Sequence, residues 1–196
     1  MKEPYEVEVK LPVTDKEAMK QKIIQAGGVP LNSDLQIDTY YDHPCRSFSK
    51  TDESIRIRHR TLTEGSPLNE SEHAPIELTY KGPKVDKKTK TRIEYTVGLE
   101  EKDHASITKI LSSTGFRFVA IITKTREFFD IGGIVASLDD VNDVGLYIEL
   151  ELIAKGEDGM KAAREQILEL VKNLGLDENT MVRESYLELY LNTVRC

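Results

Sequence analysis

Two sets of ionisable residues recur in this chain at the spacing of a β-strand. Glu6, Glu8 and Lys10 alternate with Val7, Val9 and Leu11. Successive strand side chains point to opposite faces, so the ionic groups share one face and the apolar groups the other. Asp139, Glu149 and Glu151 join Glu6 and Glu8 in an acidic set. Carboxylate oxygens are hard ligands of the kind Mg2+ or Mn2+ takes together with water and phosphate oxygens. Crowded together without a metal or cations, they would repel one another and some would keep their protons. The alternative is that each acid pairs with a Lys or Arg across strands.

The basic set is Lys10, Arg56, Arg58, Lys81, Arg92, Lys124 and Arg126, again at alternating positions of separate apolar-ionic segments. A triphosphate carries about four negative charges, and oriented cations in a water-poor channel can hold it and stabilise charge developing on a leaving phosphate. Arg56, Arg58 and Arg60 together form a comb of always-charged, fork-shaped donors suited to phosphate oxygens. The competing reading of that segment is a solvated edge strand protected by its charge.

These sets need a scaffold that turns their ionic faces together. Strand patterns run over Tyr5 to Leu11, Leu35 to Asp42, Ser54 to Thr61, Pro75 to Lys81, Thr91 to Val97, Phe116 to Asp130, Ile134 to Asp140 and Leu146 to Ala154. Gly132-Gly133 and Asn142 to Gly145 read as hairpin turns. Helix patterns follow Thr14, a candidate N-cap with Glu17 as capping-box partner, and cover Lys102 to Ser113, Gly156 to Asn173 and Tyr186 to Leu191. Their apolar stripes are Ala18, Met19, Ile23 and Ile24, then Ile107, Ile110 and Leu111, then Ala163, Ile167, Leu170 and Val171. The expected fold is α+β: eight antiparallel strands closed into a small barrel, apolar face outward against helices and ionic face toward one lumen. Residues 62–74, rich in Gly, Ser, Pro, Asn and Glu, read as a loop able to act as a lid, and Lys84 with Lys87, Lys88 and Lys90 as a cationic loop.

The chain of 196 residues supports one domain, 1–196, with 39% hydrophobic and 31% charged residues. A formal net charge of -7 argues against a nucleic-acid binder, yet leaves room for an anionic small ligand in an enclosed site. No apolar run is long enough to cross a membrane and no signal peptide precedes the first strand, so a cytoplasmic protein is expected. Cys45 and Cys196 are expected as free thiols. Phosphate-loop, dinucleotide-binding and Ser or Cys nucleophile motifs are absent, and the four histidines are scattered.

Taken in order, Glu6-Val7-Glu8-Val9-Lys10, Ile55-Arg56-Ile57-Arg58, Leu78-Thr79-Tyr80-Lys81-Gly82-Pro83, Arg92-Ile93-Glu94, Lys124-Thr125-Arg126, Ser137-Leu138-Asp139-Asp140-Val141, Gly145 to Glu151 and Ser185-Tyr186 resemble the CYTH, or triphosphate tunnel metalloenzyme, family. The resemblance spans nearly the whole chain and is nearest to the subgroup of class IV adenylyl cyclases. It implies an eight-stranded tunnel that binds a triphosphate (ATP, thiamine triphosphate or tripolyphosphate) with Mg2+ or Mn2+. It implies Glu6, Glu8, Asp139, Glu149 and Glu151 on the metal side and the seven cations on the phosphate side, with Lys124, Arg126 and Asp139 as the catalytic group. A homodimer is left open. Conversion of ATP to cyclic AMP and pyrophosphate leads, a triphosphatase is the runner-up, and a non-catalytic triphosphate sensor is the third reading. Both reactions need the same cations, so the comb leaves the identity of the nucleophile open.

Overall fold

The computed structural model describes residues 4–63, 74–85 and 91–194. The loop expected as a lid and the lysine run at 87–90 therefore lie outside the described residues, apart from 62, 63 and 74 of the loop.

The alternation at the N-terminus makes β1 (Pro4–Pro12), whose Val7, Val9 and Leu11 are buried on the outer side of the sheet. Helix α1 (Lys16–Gln25) follows, capped by Asp15, which accepts a hydrogen bond from the Ala18 amide at 2.9 Å. Asp15 thus takes the place expected of Thr14, being one residue closer to the first helical turn. The helix ends at Gly27-Gly28, where a side chain on Gly28 would stand 2.5 Å from the Ile23 methyl and 2.7 Å from its carbonyl oxygen.

Strand β2 (Val29–Asp42) starts earlier than its alternation suggested, because an irregularity between Pro30 and Ser33 lets its first residues pair with the end of the sixth strand. After the single turn α2 (Phe48–Thr51) come β3 (Ser54–Leu62), β4 (Ile76–Lys81) and β5 (Glu94–Leu99). A 3-10 turn at Glu101–Asp103 leads into α3 (His104–Ser113), which buries Leu111 while Ile110, expected inward, is exposed. The chain continues through β6 (Arg117–Ile131), β7 (Ile134–Val141), β8 (Gly145–Lys155), α4 (Gly156–Asn173) and α5 (Tyr186–Thr193). Gly132 and Gly133, both at positive φ, make the tight turn between β6 and β7.

The strands form one antiparallel sheet in the order β1-β8-β7-β6-β2-β3-β4-β5. Its apolar face carries the main core: Val7, Val9, Leu11, Leu138, Ile148 and Leu150 pack against Met19 and Ile23 of α1 and against Ile167, Leu170 and Val171 of α4. Each such side chain contributes about 1.5–3 kcal/mol on burial, which fixes the opposite, ionic face inward. Leu111 of α3 covers Tyr41, Ile57 and Ile76 in a second cluster.

The sheet is a curled half-barrel, and the closed ladder expected between its edges is not formed. Among the described residues β1 and the chain before β5 meet at one bridge, Glu6 with Arg92. Two features keep the seam from zipping further. The chain before β5 is tied back on itself, Gly82 to Ile93 at 2.9 Å and Val85 to Thr91 at 2.8 Å. Carboxylates also stand on both sides of the seam, with Lys81 between Glu6 and Glu94. No helix among the described residues is long and apolar enough to cross a membrane.

Candidate active site

The ionic faces of the strands enclose a cavity of about 610 Å³. Glu6, Glu8, Arg56, Arg58, Lys81, Arg92, Lys124, Arg126, Glu149 and Glu151 line it, whereas Lys10 and Asp139 lie beneath its wall. The curl of the sheet thus brings together residues separated by more than a hundred positions in sequence.

The first group centres on Asp38. Arg58 forks onto it, Nε to Oδ1 at 2.6 Å and a terminal nitrogen to Oδ2 at 2.8 Å, and Arg56 reaches Oδ2 at 3.3 Å. Burial would raise the Asp38 carboxyl, but Arg58 and Arg56 outweigh it and hold the group far below the usual carboxylate range. Asp38 and Arg58 are 1% and 4% exposed, so this is an ion pair removed from water whose geometry must compensate for lost hydration. With Asp38 neutralising one charge, the two guanidiniums leave a net positive surface on β3.

The second group centres on Arg126. It donates from Nε to Asp139 Oδ1 at 2.5 Å and from a terminal nitrogen to both Asp139 Oδ2 and Glu149 Oε2. Tyr186 of α5 donates its hydroxyl to Asp139 Oδ2 at 2.6 Å. Lys124 lies 3.8 Å from the same oxygen. Burial, followed by the nearby Arg126, pushes the Lys124 ammonium well below the ordinary lysine range. Lys10 turns its ammonium onto the Glu184 carbonyl and over the Tyr186 ring, 4.0 Å from its centroid. Val182 also donates to the Lys10 carbonyl at 2.8 Å, so the segment before α5 is pinned to β1. Ser185 caps α5 in a reciprocal capping box with Glu188.

The third group is the acidic seam. Glu8 stands opposite Glu151 in the β1-β8 register, and Lys81 reaches Glu94 at 2.5 Å and Glu6 at 3.7 Å. Burial raises Glu6 well above its ordinary value, against the pull of Lys81, and its hydrogen bond to Glu94 adds to the shift. Glu151 is pushed up to about 7 by burial and then by Glu8. Arg92, at the end of this seam, is turned onto the Gly82 carbonyl at 3.1 Å and the Asp52 carboxylate at 3.5 Å.

Among the described residues no preformed group of three His, Cys, Asp or Glu side chains is poised as a metal cage. The donor chemistry of the seam nonetheless fits a hard divalent ion. Mg2+ keeps several waters and uses one or two protein carboxylates plus substrate phosphates, so a closed cage is not what it requires. Glu8 and Glu151, adjacent across strands on the cavity wall, are such a pair. Asp139 differs, since both of its oxygens are already engaged by Arg126 and Tyr186.

Sequence reasoning gave no site role to Asp38, and quoted Tyr186 only within the Ser185-Tyr186 motif and as the start of the last helix. Asp38 shares its strand face with Gln36 and Tyr40, and the missing step was that a buried arginine comb needs an acid beneath it. The signal for Tyr186 was the Ser185 to Glu188 capping box, which starts a helix; nothing local shows that the helix lies across the cavity.

Comparison with known proteins matches the fold. The chain is 34% identical over 184 residues to a protein of Methanocaldococcus jannaschii provisionally named an adenylate cyclase, covering 94% of this chain and 97% of that one. It is 27% identical over 184 residues to adenylate cyclase CyaB of Aeromonas hydrophila, covering 93% and 86%. The solved structure of the PH1819 protein from Pyrococcus horikoshii superposes with a TM-score of 0.83 at 36% identity, covering 95% of this chain and 98% of that one. An adenylyl cyclase candidate from Hippeastrum, described as having a dominant triphosphatase activity, shares the fold with a TM-score of 0.65 at 13% identity over 96% and 95% of the chains. The CYTH domain pattern itself matches residues 4–186, and by that match the chain belongs to the CYTH domain family.

Proposed function

We propose that this protein is a divalent-metal-dependent enzyme acting on a triphosphate, of the class IV adenylyl cyclase type, converting ATP to 3′,5′-cyclic AMP and pyrophosphate. The observation that carries the triphosphate reading is the division of one cavity into a cationic wall, Arg56, Arg58, Lys124 and Arg126, and an acidic seam, Glu6, Glu8 and Glu151; the choice of cyclase rests on the similarity to relatives named adenylate cyclases. The cationic wall holds the phosphates through charge-assisted bonds. Glu8 and Glu151, with Glu6 beside them, would hold Mg2+ or Mn2+. The bound ion supplies Lewis-acid charge to phosphate oxygens.

In this reading the protein's own contribution is positioning. Asp38 aims Arg58 and Arg56, and Asp139 with Glu149 aims Arg126, so the guanidiniums are oriented before substrate arrives. Lys81 and Arg92 guard the seam, while Lys10 sets the position of α5 through Glu184 and Tyr186. Burial, then Arg126, holds the Lys124 ammonium below the ordinary lysine range, and a bound polyanion opposes that shift. A cyclase then places the ribose 3′-hydroxyl in line with the α-phosphorus, and pyrophosphate leaves.

The second reading, a triphosphatase, is favoured by the activity described for the Hippeastrum protein. The two differ in product. Incubation with ATP and Mn2+ followed by chromatography is expected to yield cyclic AMP with pyrophosphate; orthophosphate without cyclic AMP would assign the triphosphatase.

A further inference from the structure

The arginine comb of β3 does not run unchanged along the cavity. Arg56 and Arg58 share one acid, Asp38, whereas the third arginine, Arg60, faces two. One of its terminal nitrogens lies 3.1 and 3.2 Å from the two oxygens of Glu77 on β4, and its Nε stands 3.4 Å from Asp34 Oδ2 on β2. Asp38 is gripped by Arg58 at 2.6 and 2.8 Å, but Arg60 Nε and Asp34 Oδ2, both buried, are not hydrogen-bonded. Glu77 has drawn the guanidinium away from the acid beneath it. In the β3-β4 register Glu77 stands opposite Arg58, yet it bonds Arg60, because Arg58 is already claimed by Asp38.

Strand β6 changes at the same level. Asp34 stands opposite Arg126 in the β2-β6 register, so Arg126 and Arg60 flank one buried acid. The residue that follows Arg126 on the lumen face is Phe128, a cavity-wall ring 5.6 Å from the Arg126 guanidinium. The cationic wall therefore ends on two strands together: on β3 at an arginine that carries two carboxylates, on β6 at a ring that offers no donor. Arg60 lies one strand repeat, about 6.6 Å, beyond Arg58, within reach of the next unit of a longer phosphate chain. A phosphate at that level would give up water for a carboxylate and an aromatic ring.

From this we infer that Glu77 ends the phosphate channel, neutralising Arg60 and standing as a negative stop that keeps a fourth phosphate out. Glu77 is thus a specificity-determining residue, selecting three linked phosphates over four. The inference rests on the triphosphate reading above.

The test is calorimetric titration, with Mg2+ and at low temperature, of tripolyphosphate and linear tetrapolyphosphate into the full chain. Three variants accompany the wild type: Glu77→Gln, Glu77→Ala, and Glu77→Gln combined with Arg60→Gln. Glu77 is half-buried on the cavity wall and belongs to none of the apolar clusters, so folding should survive its replacement, as thermal unfolding will read. Glu77→Ala removes the charge without leaving an amide oxygen to hold Arg60. The wild type should bind tetrapolyphosphate no more tightly than tripolyphosphate, in spite of its extra charge. Either Glu77 variant should tighten tetrapolyphosphate about tenfold and tripolyphosphate less than about threefold, because Arg60 is released to the longer chain alone. Adding Arg60→Gln should abolish the gain. A wild-type preference for tetrapolyphosphate, equal tightening of both ligands, or a gain that survives Arg60→Gln would overturn the stop while leaving the triphosphate reading standing. Binding of neither ligand to any of the four proteins would remove both.

Discussion

Tyr186 donates its hydroxyl to Asp139 Oδ2 across 2.6 Å, joining the last helix of the chain to the carboxylate that aims Arg126. Through this bond a residue far from the strand alternation enters the cationic wall. Tyr186 is 6% exposed, and burial, followed by Glu149 and Asp139, pushes its phenol well above the ordinary tyrosine range, so it remains a donor at any working pH.

Tyr186→Phe removes the donor and keeps the ring under Lys10. Asp139 Oδ2 retains Arg126, so the expected cost in stability is about 1–2 kcal/mol. Turnover should fall more than substrate affinity, since the change loosens Arg126 without removing a phosphate ligand. Thermal unfolding and steady-state kinetics on the same variant read the two effects separately; a fall in stability with kcat intact would make Tyr186 purely structural.

Asp38→Asn should be severe. It leaves Arg58 buried without its counter-charge, a defect of about 3–5 kcal/mol. The pH dependence follows in sign. Asp38 has a folded pKa held below its unfolded value, so its stabilisation is present above the ordinary carboxylate pKa and is lost as pH falls through the folded one. Denaturant midpoints of wild type and variant should therefore converge on acidification below about pH 4. A constant gap across that range would contradict the assignment.

Binding of a triphosphate should draw a proton from solution. Lys124 sits below its ordinary range because of burial and then Arg126 and Arg58, and a polyanion reverses the repulsive part. Between the lowered and the ordinary lysine value the free amine is neutral and the bound one charged, so uptake is positive. Binding enthalpies in buffers of different ionisation enthalpy measure it, and Lys124→Met should abolish it.

Much of this was legible from alternation. The faces of β1 and β8 followed from apolar positions that had to meet α1 and α4, that of β3 from Ile57 beneath α3, and each ionic partner set followed from the same parity. What alternation does not carry is closure, because pairing between the first and fifth strands depends on the charges at the seam and on the bonds that tie Gly82 to Ile93 and Val85 to Thr91. It also does not separate a side chain that faces the cavity from one lying beneath its wall. Lys10 shares the parity of Glu8 in β1, and Asp139 of β7 stands opposite Arg126 of β6, yet α5 and the segment before it cover both. The inward set for α3 wrongly included Ile110, which lies exposed beside the face on which Ile107 and Leu111 meet the sheet.

The central claim is that the guanidiniums of β3 and β6 grip a triphosphate opposite a metal at the seam. Arg56 is the residue on which to test it, since Asp38 keeps Arg58 when Arg56 is lost. Calorimetric titration of α,β-methylene ATP into wild type and Arg56→Gln, each with and without Mg2+, is the most direct measurement. The account predicts wild-type binding that weakens strongly without Mg2+ and falls about tenfold or more in the variant. Affinity unchanged in folded Arg56→Gln, or indifferent to Mg2+, would contradict it.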